Sequence, residues 1–249
     1  MMLLADLHVH TKWSDGKLSI GEVVDLFGRT GHDVIAITDH VVNSDNLIGK
    51  VTHRFGLTVT AANFAEYRDE IERESRRAWD RYGMLVLAGA ELTQNRFRRN
   101  NSAHALVLGI DEFVSAEGTV EEMLTRARAQ APVVVACHPH EQSEFFANTF
   151  YLWNRRDEVR DLIHLWELAT RWDLFPPVAR ARLPFVANSD FHDRPHIDAW
   201  KTLLPCAKNA RDVVATLQRG AGLAVTRLAP QRFDDLVASP ARFPALATA

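Results

Sequence analysis

The chain has 249 residues, 47% hydrophobic and 24% charged, with a formal net charge of -3; this balance supplies a sizeable core, excludes a disordered chain and gives no overall basic field for broad nucleic-acid binding, so any anion affinity must be local. Two distant cysteines, Cys137 and Cys206, exclude a disulfide scaffold and a Cys-based zinc knuckle. The start MMLLADLHVH lacks the basic opening and long apolar run of a secretory signal, no stretch reaches the roughly 20 apolar residues of a membrane span, and a cytoplasmic protein is expected.

Short apolar runs alternate with helix-like segments, the pattern of βα units around a parallel sheet. In chain order the expected strands are Leu3 to Val9, Asp33 to Thr38, Met84 to Ala90, Ala103 to Gly109, Pro132 to Cys137, Leu162 to Leu168 and Leu183 to Asn188. Expected helices are Ile20 to Arg29, Phe64 to Tyr82, Val120 to Gln130 and Ala210 to Arg219, the second carrying opposite charges three and four apart on a solvated face. Val41 to Asn63, with Gly49 and Gly56, reads as a loop over one end of the sheet. One domain spanning 1–249 follows, with an irregular tail at 229–249 marked by Pro230, Pro240 and Pro244.

Polar residues of metal-ligand type stand at the ends of these runs. Side chains alternate along a strand, so His8 and His10 point the same way, about 7 Å apart. Asp39-His40, Glu91, His138 with His140, and Asp190 with His192 follow the later runs, and Asp15-Gly16 makes a polar turn after the first. In a parallel barrel all strand ends meet in one ring, so ligands scattered in sequence converge in space. A His, Asp and Glu set without Cys suits zinc, manganese or iron with positions open for water and substrate, which points to metal-dependent hydrolysis. His104 is different, lying at the start of its strand rather than the end. His164 is expected to face the helices while Glu167 orders a ligand from behind. Cys137 is expected to be buried against the helices, and Trp153, Trp166 and Trp172 to be packing residues.

Taken together, DLHVHTKWSDG, ITDH, GAEL, HALVLG, CHPH and NSDFH, in order from Asp6 to His192, resemble the successive motifs of the polymerase and histidinol phosphatase (PHP) superfamily, in its small single-domain phosphoesterase form. The resemblance implies a distorted seven-stranded α/β barrel, (β/α)7 and TIM-like. It also implies two or three divalent metal ions: one with His8, His10, Glu91 and Asp190, a second with Glu91, His104 and His138, and a third with Asp15, His40 and His192, Glu91 bridging the first pair. Asp15 stands where some relatives have histidine.

On this reading the chain is a phosphoesterase, acting on a monoester or diester through a metal-bridging hydroxide. Glu91 and Asp190 serve catalysis through the metals. The leaving group's proton comes from His140, Asp39 or a metal-bound water. Arg194, Arg96 and Arg99 are the candidate clamps for a small phosphorylated substrate, although the arginines from Arg96 to Arg99 could equally be solvated. No GxSxG or GxxxxGK[ST] motif offers a different chemistry. Two alternatives remain at this point: hydrolysis of a carbamate or aryl ester by the same metals, and a non-catalytic metal-binding regulatory module. Substrate identity and oligomeric state are not legible.

Overall fold

The computed structural model describes residues 2–45, 47–96, 101–139 and 149–228. His140, Arg98, Arg99 and the tail at 229–249 lie outside the described residues.

The four expected helices form with the bounds their sequences set: α1 (Ile20–Arg29), α3 (Phe64–Tyr82), α4 (Val120–Gln130) and α8 (Ala210–Arg219). Their ends are chemically marked. Ser19 with Glu22 and Thr119 with Glu122 make capping boxes that satisfy the first free amides of α1 and α4. Gly83 and Gly220 end α3 and α8 in the left-handed conformation, at φ 59° and 61°. Between 41 and 63, where a loop was expected, Leu47–Arg54 forms a further helix, α2. Gly49 serves there as a point of close packing, since a Cβ would stand 1.8 Å from the Asn43 carbonyl oxygen. Short helices α5 (Tyr151–Asn154), α6 (Arg156–Val159) and α7 (Pro177–Arg180) complete the set among the described residues, and no helix is long and apolar enough to cross a membrane.

The strands are β1 (Leu3–Val9), β2 (Val34–Ile37), β3 (His40–Val42), β4 (Leu85–Gln94), β5 (Ala103–Leu108), β6 (Val133–Ala136), β7 (Leu165–Thr170), β8 (Asp173–Leu174), β9 (Phe185–Asn188), β10 (Trp200–Leu204) and β11 (Ala224–Arg227). Nine of them run in the order β11-β10-β1-β2-β4-β5-β6-β7-β8, with β3 on β4 and β9 on β7. The fold is mixed α/β, its sheet curled into a half-barrel. The expectation of an all-parallel barrel is corrected: β5 runs antiparallel to β4 and β6, and β10 is antiparallel to β1 and β11. Apolar periodicity records which residues face the core, not the direction in which a strand runs.

One face of the sheet, with Ile35, Ile37, Val107, Val134 and Trp166, packs on α1, α3 and α4. The opposite face gathers Leu3, Ala5, Leu7, Val34, Val133, Val135 and Val186 under Val213 and Leu217 of α8. Cys137 belongs to this second cluster, on the α8 side rather than on the side of α1, α3 and α4: the alternation through Val133 and Val135 continues to it. Burial together with Glu91, Glu167 and Asp190 pushes its thiol up, so it is inert. Trp166 packs as expected, whereas Trp172 is half exposed.

The irregularity that positions the site is in β1. Its pairing with β2 goes from Asp6 opposite Ile35 to Val9 opposite Ile37, three residues against two. Such a bulge shifts the phase of alternation by one. Leu7 keeps to the α8 side, Val9 turns to the helix side, and His8 and His10 are free to point away from the helices.

Candidate metal centre

Glu91 is the centre of the site. It lies in β4 opposite His40 of β3, is fully buried, and its two oxygens face different histidines. Oε1 is 3.0 Å from His104 Nδ1 and 3.2 Å from His138 Nε2. Oε2 is 2.8 Å from His40 Nδ1, 3.4 Å from His10 Nε2 and 3.5 Å from His8 Nε2. His104 reaches this rim because β5 is antiparallel, so the start of that strand lies beside the ends of the parallel ones.

Asp190 closes the other side, with Oδ1 3.5 Å from His8 Nε2, 3.4 Å from His10 Nε2 and 3.3 Å from His192 Nδ1. It lies past the end of β9 and adopts φ 48°, a left-handed conformation costing a non-glycine residue about 1–3 kcal/mol. Asp190 and His192 therefore converge through a turn rather than through strand alternation. The turn is tied to β1, since Phe191 N–H donates to the His8 carbonyl and His10 N–H to the Phe191 carbonyl.

Asp15 stands further out, its side chain 47% exposed, with Oδ1 3.2 Å from His192 Nε2, 3.6 Å from His40 Nε2 and 3.9 Å from His10 Nδ1. Gly16 allows this approach: a Cβ there would meet the His10 carbonyl and Thr11 amide at 2.6 Å. The turn is joined to the Asp190 segment by Lys17 N–H donating to the His192 carbonyl.

Three groups bring their ligand atoms within 4.8 Å of one another: His10, Asp15, His40 and His192; His8, Glu91 and His138; and His8, His10 and Asp190. The second and third divide between them the partners expected of one ion, and His10 joins the outer group. His104 meets Glu91 and, through Nε2, Asn95 Oδ1 at 2.9 Å. The donor set fits divalent cations, because His8 Nε2 and His10 Nε2 are buried without a hydrogen-bond partner, and orphaned polar atoms are costly to bury.

The surroundings orient these donors. Glu167 Oε1 lies 2.9 Å from His8 Nδ1 and accepts its proton, leaving Nε2 as the lone-pair donor. Glu167 also receives Asn188 Nδ2 and Thr170 Oγ1, and its Oε2 receives the His138 amide at 2.6 Å, as the sequence suggested. His164 points elsewhere, accepting from the Val134 amide. Asp39 is buried and accepts from the Thr11 amide, the Thr11 hydroxyl and the Ser14 hydroxyl. That occupation removes it as a proton donor to substrate; it anchors the turn after β1.

The charges follow from packing. Burial pushes the His8 imidazole down, but Glu167, Asp190 and Glu91 outweigh it and raise it well above its ordinary value. His40 rises in the same way against Glu91 and Asp15. His10 is driven to about 3 by burial and by His192 and His40. Burial works against ionisation of Glu91, yet His40, His8 and His104 hold it well below the carboxylate range. Carboxylates held ionised around imidazoles are what a cation would join with proton release.

Arg171 is a residue the sequence reading missed. It follows β7 directly, has φ 50°, and places Nη2 2.8 Å from Asp190 Oδ2 and 3.4 Å from His192 Nδ1. The rule that selected the other candidates, a polar residue just after an apolar run, would have found it. Arg194 is exposed at the start of a short 3-10 turn, with its amide on the Asp193 side chain. Arg96 is directed to Gln94 Oε1 at 2.9 Å.

Residues 6–116 match the model of the PHP domain. A phosphoribosyl 1,2-cyclic phosphate 1,2-diphosphodiesterase from Eggerthella lenta is 26% identical over 114 residues, 46% of this chain and 34% of that protein. A two-domain protein containing a predicted PHP-like metal-dependent phosphoesterase from Bacteroides vulgatus superposes with a TM-score of 0.63 at 17% identity, over 92% of this chain and 65% of that one. A putative metal-dependent phosphoesterase from Bifidobacterium adolescentis superposes at 0.50 with 15% identity, over 76% and 87%. The chain thus spans about a third of the curated relative and just under two thirds of the Bacteroides structure. The PHP domain model matches a little under half of the chain, from residue 6 to residue 116.

Proposed function

We propose that the protein is a metal-dependent hydrolase of phosphate esters acting on a small phosphorylated molecule. The observation that carries this reading is Glu91, whose two oxygens face separate sets of histidines beside the unpartnered buried nitrogens His8 Nε2 and His10 Nε2. Divalent cations held by His8, His10, Glu91, His138 and Asp190, with His104 completing one side and Asp15, His40 and His192 offering an outer position, would supply Lewis acidity and a more acidic water.

The chain's own residues do the rest. Glu167 fixes the His8 tautomer, and Asp190 and Glu91 hold the histidines in register. Arg171 lies at the open edge, where a guanidinium binds a phosphoryl oxygen pair; its present partner, Asp190 Oδ2, keeps it oriented before substrate arrives. Arg194 and Arg96 are more distant candidates for the same charge. A proton for the leaving oxygen can be held at His140 or, when the outer position carries no ion, at His192 Nε2, which Asp15 orients. The E. lenta relative's name adds cyclic phosphodiesters to the substrate classes worth testing.

The test is a panel of sugar and nucleotide phosphates, linear and cyclic diesters, and aryl carbamates, given to protein loaded separately with zinc, manganese and iron. Turnover of a phosphate ester that is lost in Glu91→Gln supports the proposal. Turnover of aryl carbamates alone, or of nothing in protein that retains metal, overturns it.

A further inference from the structure

A buried ion pair outside the metal-binding set lies directly behind it. Asp6 and Lys201 are both fully buried, with Nζ 3.1 Å from Oδ2. Lys201 sits in β10 one step beyond the Ala5–Thr202 pair of the antiparallel β1–β10 ladder. Its ammonium also donates to the Ala199 and Trp200 carbonyls at 3.2 and 3.3 Å. The second carboxylate oxygen of Asp6 faces away from the lysine and accepts the Ser189 amide at 3.1 Å, across 183 residues of chain. The His8 amide also points to it, at 3.5 Å.

A buried ion pair is weak as a source of stability, because desolvating two charges offsets their attraction. Its value here lies in what it aims. Asp6 belongs to the bulged stretch of β1, two residues before His8, and Ser189 immediately precedes Asp190. One carboxylate therefore ties the backbone that presents His8 to the backbone that presents Asp190. Asp190 holds its strained left-handed conformation only where neighbouring bonds leave it no alternative, and the Ser189 amide is the last of those bonds before it.

We infer that Asp6, through the oxygen that accepts the Ser189 amide, is a positioning residue that sets the separation of His8 and Asp190 and thereby the affinity of the ion they share. The inference rests on the metal-dependent reading above and extends it to residues that touch no ion. Both oxygens of Asp6 are needed in different ways: one meets the lysine, the other the Ser189 amide. An asparagine beside an apolar residue at 201 keeps the amide's acceptor while removing both charges, whereas a leucine there removes the acceptor as well.

Zinc or manganese affinity is to be measured by calorimetry at fixed pH, with Tm recorded on the metal-free proteins. Asp6→Asn/Lys201→Met is expected to bind the tightest ion within threefold of the starting protein, and Asp6→Leu/Lys201→Met to bind it roughly ten- to a hundredfold more weakly, the range for residues behind metal ligands. The metal-free melting temperatures of the two double variants should lie close together, which separates positioning from mere folding. Should the leucine variant not fold, Asp6→Ala/Lys201→Met takes its place with the same expectation. A folded variant lacking the acceptor that binds metal as tightly as the starting protein overturns the inference, and so does equal weakening in the asparagine variant. Absence of metal binding in the unaltered protein would instead overturn the functional proposal.

Discussion

The metal-binding rim has two halves built differently. The inner half, His8, Glu91, His138 and Asp190, is buried; Glu167, itself held by Asn188, fixes the His8 ring, and Asp6 holds the Ser189 amide beside Asp190. The outer half rests on Asp15, which projects from a polar turn with nearly half its side chain in solvent. Donors on strands with supported side chains are pre-organised and lose little freedom on binding a cation, whereas a turn carboxylate must be ordered by the cation itself. The inner positions are therefore expected to hold ions tightly and the outer one to exchange.

The largest effect tests the point the two halves share. Glu91→Gln keeps the side chain's shape but removes the charge that faces both sets of histidines, leaving His8 and His40 without a main electrostatic partner. Activity should fall by more than the roughly hundredfold seen for groups behind a metal site, and metal content per chain should drop by at least one ion on elemental analysis. Glu167→Gln comes next. It preserves the hydrogen-bonding outline toward Asn188 and the His138 amide but can present an amide nitrogen to His8, favouring the wrong tautomer. A tenfold to hundredfold loss of inner-site affinity is expected, with the outer ion retained; loss of the outer ion first would reverse the comparison.

Gly16→Ala probes the other half. The added Cβ would stand 2.6 Å from the His10 carbonyl and the Thr11 amide, so the turn must move and carry Asp15 with it. The expected outcome is loss of one ion per chain, with a smaller drop in activity than for Glu167→Gln. Equal loss of all ions would show that the halves are not independent. Stepwise chelation of the unaltered protein, followed by elemental analysis at each step, reads the same ordering without a mutation.

Most of the inner half was legible because its residues terminate apolar runs, and burial of those runs fixes where their ends lie. His8, Glu91, His138 and Asp190 were found on that ground. Other features were not legible from the residue pattern. His104 looked misplaced at the start of its strand, since residue patterning carries no sign for strand direction; the antiparallel β5 puts it on the rim. The bulge between Asp6 and Val9 leaves no local signature, because Leu7 and Val9 are apolar on either face. Arg171 and Lys201 were passed over for opposite reasons: the first sits outside every recognised motif, and the second is a lysine in a strand whose burial only the β1–β10 ladder makes evident. The strands β3, β8, β10 and β11 and the helix α2 were missed as elements, being short.

Acidification offers the smallest effect, and it needs a control outside the metal-binding set. Protons compete with cations at the histidines of both halves, so metal should leave as the pH falls, the turn-held ion first. His32 complicates the reading. It is buried beneath α1, 3% exposed, with its ring edge to face against Phe27, and burial together with Lys201 drives it down to about 3. The unfolded chain binds a proton at this residue near pH 6.5 while the folded chain does not, so stability is fully present above about 6.5 and declines as the pH falls from there toward 3. At pH 5.5 the loss from this one group is on the order of 1 kcal/mol, roughly 2–4 °C in Tm for a chain of this size. In metal-free protein, His32→Gln should flatten the fall in Tm between pH 7 and 5.5 by that amount and leave the order of metal release unchanged. An unaltered slope would mean that the acid sensitivity of the fold resides at the rim, and the two halves could then no longer be compared by pH alone.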